Sequence, residues 1–161
     1  DGKVAQNVNT IKETITALLT SIEPDVILTW GPEGGYGHKD HRLVSALVSD
    51  VFQNRSPNGS KLPNAVYYPG VPESQVLGFT PTSFFGGVLQ AIWGTTAEEY
   101  LQYTIAVSDE DIAASKAAAE CHASQWDTTT LSDISALLDA GEGKIYLRKA
   151  HHVGTNKASL D

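Results

Sequence analysis

The chain has 161 residues, 41% of them hydrophobic and three of them tryptophan, which is the length and apolar content of one globular domain with a core rather than of a disordered tail. Nineteen acidic residues against eleven Lys and Arg leave a net charge of -8, which repels phosphate and argues against nucleic acid or an anionic membrane as the main partner. The single cysteine, Cys121, excludes an internal disulfide, and no apolar run approaches the roughly 18 residues that a membrane-spanning helix needs.

The chain contains no methionine and opens almost at once on a helix pattern, and from both we expect the later part of a longer polypeptide. Val4, Val8, Ile11, Ile15, Leu18, Leu19 and Ile22 recur at three- and four-residue intervals, which predicts a helix that lays an apolar stripe on a core and stops at Pro24. The following "DVILTW" is short, continuous and branched, as expected of a strand covered on both faces. Gly31 and Pro32 end it and open a glycine-rich loop, "GPEGGYGHKDH", in which Gly34, Gly35 and Gly37 are expected to take positive backbone dihedrals.

From about Asp40 the spacing of Leu43, Val44, Leu47, Val48, Val51 and Phe52 predicts a second helix, closed by "NRSPNGSKLPN". "AVYYPGV" reads as another strand, so a βαβ unit with a parallel sheet is the economical topology. Residues 72–104 fit no clean period, and their glycines, prolines and aromatics suggest a lid or rim excursion. "IAVSDEDIAASKAAAECHASQ" predicts a short strand, then Ser108 as N-cap with Asp111 three residues on, then an alanine-rich helix in which Cys121 is expected as a buried, inert thiol. "LSDISALLDAG" predicts a further helix ended by Gly141, and "KIYLRK" alternates like an edge strand. With no repeat and no linker, a single α/β domain is expected over residues 1–161.

The chemistry concentrates in Tyr36, His38, Asp40 and His41, placed where open α/β sheets hold their ligands, at the carboxyl end of a strand. A neutral imidazole is a common zinc ligand, a second one nearby can donate a proton or stabilise an anion, and a carboxylate can hold a ring in one tautomer. Spacing alone does not assign these roles. The bland reading of the histidines is a loop that satisfies backbone groups, and that of Asp40 is a negative charge favoured near a helix N-terminus.

At these residues the sequence resembles a known family. "PDVILTWGPEGGYGHKDHRLVS" looks like the second signature of the PIG-L/LmbE-type zinc-dependent deacetylases, whose hallmark is His-Pro-Asp-His after a strand, and "VSDEDIAASKAAAECHASQ" is similar to the family's late helix with its His-x-Ser-Gln ending. The resemblance implies a three-layer, Rossmann-like fold with a mostly parallel sheet, incomplete here at its N-terminal side. It implies hydrolysis of an N-acyl group, usually N-acetyl on an amino sugar or its conjugate, by water activated on Zn2+ or another divalent metal. By position in the motif, His41 would be the metal ligand and His38 would stabilise the tetrahedral intermediate or protonate the leaving amine. Asp40 would orient His38, and Tyr36 would hydrogen-bond the oxyanion.

Two departures stand out: Lys39 replaces the usual proline, and the family's first signature, His-Pro-Asp-Asp-Glu, has no counterpart in the chain. The expected partners are therefore a small N-acetylated sugar and the missing N-terminal part of the same protein, without which the chain is expected to be inactive; a homo-oligomer stays open. A second reading is a non-catalytic carbohydrate-binding module derived from such an enzyme, with the aromatics of 72–104 as its sugar platform. Glu33 reads as a solvated carboxylate, His122 and Gln125 as packing residues of the late helix, and His151 and His152 as exposed. The abundance of Thr, Ser, Asn and Gly with little lysine leans toward an extracytoplasmic protein, secreted or periplasmic, and Asn54-Arg55-Ser56 and Asn58-Gly59-Ser60 have the form of glycosylation acceptors.

Overall fold

The computed structural model describes residues 2–54 and 63–152. The two acceptor-like triplets run into or lie in the segment outside them, as does the tail beyond His152. The elements in chain order are α1 (Val8–Ile22), β1 (Val26–Leu28), the single turn α2 (Gly34–Gly37), α3 (Lys39–Asn54), β2 (Ala65–Gly70), α4 (Glu73–Leu77), α5 (Phe84–Ile92), β3 (Tyr103–Ala106), α6 (Asp109–Glu120), α7 (Thr128–Asp139) and β4 (Lys144–His152). Short 3-10 turns at Val4–Gln6 and Glu98–Tyr100 complete the list. The strands form one open four-stranded sheet in the order β1-β2-β4-β3. Among the described residues no helix is long and apolar enough to cross a membrane.

The described residues divide into two compact units, the first built from 2–34, 38–54, 63–68 and 149–152. Here α1 lies along α3, and β1 runs parallel to β2 with Val26 opposite Ala65 and Leu28 opposite Tyr67. That is the βαβ unit expected from the sequence, with α3 as the crossover. The 3.6-residue period of α3 buries Leu47, Val48, Val51 and Phe52 on one face. Val48 and Phe52 close on Val66 of β2, and Ile15, Ile27, Val44, Tyr68 and Ala150 pack around them. Each such side chain withdrawn from water contributes on the order of 1.5–3 kcal/mol.

Two expectations for this unit need correction. α1 ends as predicted, with Glu23 in the left-handed region returning its N–H to the Leu19 carbonyl at 3.1 Å, but of its stripe Leu18 and Ile22 remain exposed. β1 was expected to be covered on both faces, yet Val26 and Leu28 are 49% and 60% exposed. The reason is the alternation of the strand: Ile27 packs on the Val48–Phe52–Val66 cluster, whereas Val26 and Leu28 share the opposite face, which the described residues leave open.

The second unit comprises 35–37 and 69–148, and in it α5 and α6 each pack on α7. The aperiodic stretch 72–104 is largely helical. Ser83 caps α5 by accepting from the Gly86 amide at 2.8 Å, and Gln90 ties α5 back to the Val76 and Phe79 carbonyls. α6 starts on the Ser108–Asp111 capping box read from the sequence, and Asp127 caps α7 through the Thr130 amide. Both carboxyls sit below the ordinary carboxylate value, Asp111 through the Ser108 amide and hydroxyl and Asp127 through the backbone and side chain of Thr130.

α6 buries none of its residues, so Cys121 at its end is exposed rather than buried. His122 and Gln125, expected as packing residues of the late helix, fall beyond its end and are exposed. They lie in the turn after α6, where the Gln125 amide donates to the His122 carbonyl and the His122 ring sits 5.2 Å from Trp126. β3 and β4 pair antiparallel, Tyr103 opposite Leu147 and Ala106 opposite Lys144. The alternation of "KIYLRK" is real, but β4 lies inside the strand order and β3 is the edge. Within the first unit, the ring of His151, expected to be exposed, is half-buried and lies 5.9 Å from that of Phe52.

Candidate active site

The site begins where β1 stops. The Thr29 amide still donates to the Tyr67 carbonyl at 3.1 Å, so the backbone that presents Trp30 is tied to the sheet. Beyond Trp30 the chain turns, and the Gly34 amide returns to the Gly31 carbonyl at 2.9 Å. Gly34 has φ 69°, and a Cβ there would lie 2.8 Å from Cγ of Arg42 and 3.1 Å from its backbone nitrogen. Only glycine accommodates both the left-handed backbone and that close approach of helix α3.

His38 is extended, with φ -65° and ψ 125°, and its carbonyl accepts from the Arg42 amide at 3.1 Å, closing the first turn of α3. The residue before a helix and one in its first turn thus face the same side. The two rings come together with centroids 4.6 Å apart and planes tilted by 43°. Nδ1 of His41 lies 3.2 Å from the Gly34 carbonyl. A carbonyl can only accept, so the contact is a hydrogen bond when Nδ1 carries a proton, and in the neutral ring that tautomer leaves the lone pair on Nε2. Trp30 stacks on the same imidazole, with centroids 4.1 Å apart and planes 3° from parallel.

Asp40, in the first turn of α3, accepts from the Gly2 amide through Oδ2. The Glu33 carbonyl accepts from Nε of Arg42 at 3.1 Å, a second tie between the turn and α3. Tyr36 belongs to the second unit, where its ring is 6.1 Å from Trp93 and the Gly94 amide donates to the adjacent Gly35 carbonyl. Among the described residues no group of three or more His, Cys, Asp or Glu side chains is placed to hold a metal ion. A tetrahedral catalytic zinc takes three protein ligands, so these residues fit a contribution of one imidazole donor to such a site rather than a complete one.

The fold brings together the two histidines marked by their spacing, whereas nothing in the sequence marks Trp30 or the Gly34 carbonyl as part of the site. Trp30 was legible only as the end of a strand. Its position opposite His41 follows from the strand–turn–helix geometry, which returns α3 past the end of β1.

An open sheet in which α3 crosses between the parallel strands β1 and β2 defines an α/β protein of Rossmann-like architecture. Residues 1–52 match the PIG-L family model, described as GlcNAc-PI de-N-acetylase. The chain is 30% identical over 128 residues to the 1D-myo-inositol 2-acetamido-2-deoxy-alpha-D-glucopyranoside deacetylase of Corynebacterium diphtheriae, an alignment covering 76% of this chain and 42% of the relative. It is 29% identical over 144 residues to the Corynebacterium jeikeium protein of that name, covering 77% and 43%, and 48% identical over 49 residues to that of Corynebacterium kroppenstedtii, covering 28% and 13%. The chain belongs to the PIG-L/LmbE family. It spans about two-fifths of the length of the first two of these relatives.

Proposed function

We propose that this chain forms part of an N-deacetylase that removes an acetyl group from an amino sugar conjugate, with His41 as one ligand of a zinc ion. The observation that carries the proposal is the approach of His41 Nδ1 to within 3.2 Å of the Gly34 carbonyl. With the proton on Nδ1, this is the arrangement that orients a metal-binding imidazole through Nε2. When bound, such an ion acts as a Lewis acid that acidifies water and polarises an acyl carbonyl.

The residues of the chain have separable tasks in this reading. His38, its ring 4.6 Å from that of His41, carries a proton to the departing amine. Asp40 orients His38, and its Oδ2 also accepts from the Gly2 amide, which ties the segment before α1 to the first turn of α3. The family relationship and the named activity of the relatives support the substrate class, an N-acetylglucosaminyl group joined to inositol or a similar polyol.

The test is substitution in the full-length protein, assayed on 1D-myo-inositol 2-acetamido-2-deoxy-alpha-D-glucopyranoside with zinc content measured in parallel. His41→Ala is expected to lose zinc and activity together. His38→Ala is expected to keep zinc and lose roughly 10²–10⁴ in rate. Equal zinc loss in both variants would make both histidines ligands and end the division of roles.

A further inference from the structure

We infer that Trp30 is a positioning residue for the metal-binding imidazole, an inference that rests on the zinc reading of His41. A histidine ring turns about χ2, an sp3–sp2 torsion with a broad, shallow profile, so nothing intrinsic to the side chain holds its plane. Two contacts supply what the side chain lacks. The Gly34 carbonyl, 3.2 Å from Nδ1, fixes the direction in which one edge of the ring points. The indole of Trp30, 3° from parallel at 4.1 Å, fixes the plane itself, because rotation about χ2 would drive the imidazole into the indole face or away from it. Together they leave Nε2 one direction in which to aim its lone pair.

The platform is itself anchored. Thr29, the residue before Trp30, is hydrogen-bonded to β2, and the turn that carries Gly34 is tied to α3 through Arg42. Trp30 is 38% exposed, more than a side chain kept purely for the core, and the hydrophobic cluster of the first unit is formed without it. Its stacked contact is with His41. An aromatic plane at this position therefore serves the ring rather than the core.

The experiment compares zinc affinity by chelator competition in the full-length wild type, Trp30→Leu, Trp30→Phe and His41→Ala, together with the His41 ring resonances of the zinc-free wild type and Trp30 variants. Trp30→Leu should weaken zinc binding by about 10–100-fold, as loss of an orienting partner does, while Trp30→Phe, which keeps a flat face, should remain near wild type. In the wild type the His41 ring protons should be shifted upfield by the indole, and in Trp30→Leu they should relax toward free histidine. Unchanged zinc affinity in Trp30→Leu, with His41→Ala devoid of zinc, overturns the positioning role alone. Zinc retained by His41→Ala overturns the metal reading and this inference with it. If Trp30→Leu does not fold, Trp30→Phe as weak as His41→Ala, or wild-type ring protons without an upfield shift, overturns the inference independently.

Discussion

Asp133 in α7 holds Ser83, at the start of α5, by both of its hydrogen-bonding groups: Oδ2 accepts from the Ser83 amide at 2.8 Å and from its hydroxyl. The other carboxylate oxygen accepts from the amide and hydroxyl of Thr82, each at 2.8 Å. Asp133 is 3% exposed, so its removal deletes four hydrogen bonds made to a buried carboxylate. Asp133→Ala is therefore expected to lower the unfolding free energy by about 3 kcal/mol, with the midpoint in urea moving down at constant slope.

The same carboxyl sets an acid limb of stability. Burial works against its charge, but the hydrogen bonds from Ser83 and Thr82 outweigh this and hold its pKa down to about 2 from the ordinary 3.8. A depressed carboxyl contributes stability that is complete above its unfolded value and fades as pH falls through its folded value. Between pH 4 and pH 2 the wild type should lose this contribution progressively, while Asp133→Asn should show a flatter profile across that window in urea melts at stepped pH.

Neighbouring glycines in α5 should respond oppositely to alanine. A Cβ on Gly86 would overlap the Asp133 carboxylate, whereas a Cβ on Gly87 meets nothing within 4 Å. Gly86→Ala should destabilise by about 1–3 kcal/mol through overpacking, and Gly87→Ala should stabilise by about 0.5–1 kcal/mol through helix propensity. Thermal denaturation of the two variants side by side checks the sign of each.

At the start of α6 the Ser108 hydroxyl and Asp111 carboxylate satisfy each other's backbone amides. Ser108→Ala should cost about 1 kcal/mol. The exposed pair Lys116–Asp139, at 2.7 Å, links α6 to α7 on the same surface, yet Lys116→Gln should cost under about 1 kcal/mol because solvent screens it. Chemical denaturation that ranked the ion pair above the cap would contradict this ordering.

The elements most legible in the sequence were those whose signal is local. The apolar period of α3, the branched run of β1, the Ser108–Asp111 box and the glycines of the histidine turn depend on residues a few positions apart, and each lies where the pattern put it. What escaped depends on partners far along the chain. The helical character of 72–104 rests in part on Asp133, fifty residues from Ser83, and no local pattern announces that staple. Whether β1 or β4 is the edge is a matter of strand order, to which the alternation within a strand is blind. At the site, the histidines were visible because imidazoles are rare and their spacing is helical. Trp30 was not, because a tryptophan ending a strand reads as core until the turn beyond it is folded.

The most direct test of the account is anomalous diffraction at the zinc edge from crystals of the full-length protein grown with the metal. A zinc peak is expected about 2.0–2.1 Å from Nε2 of His41, with Nδ1 still directed at the Gly34 carbonyl and the imidazole still flat against Trp30. A zinc bound through Nδ1, or one held entirely by other side chains with His41 outside its coordination sphere, would contradict it.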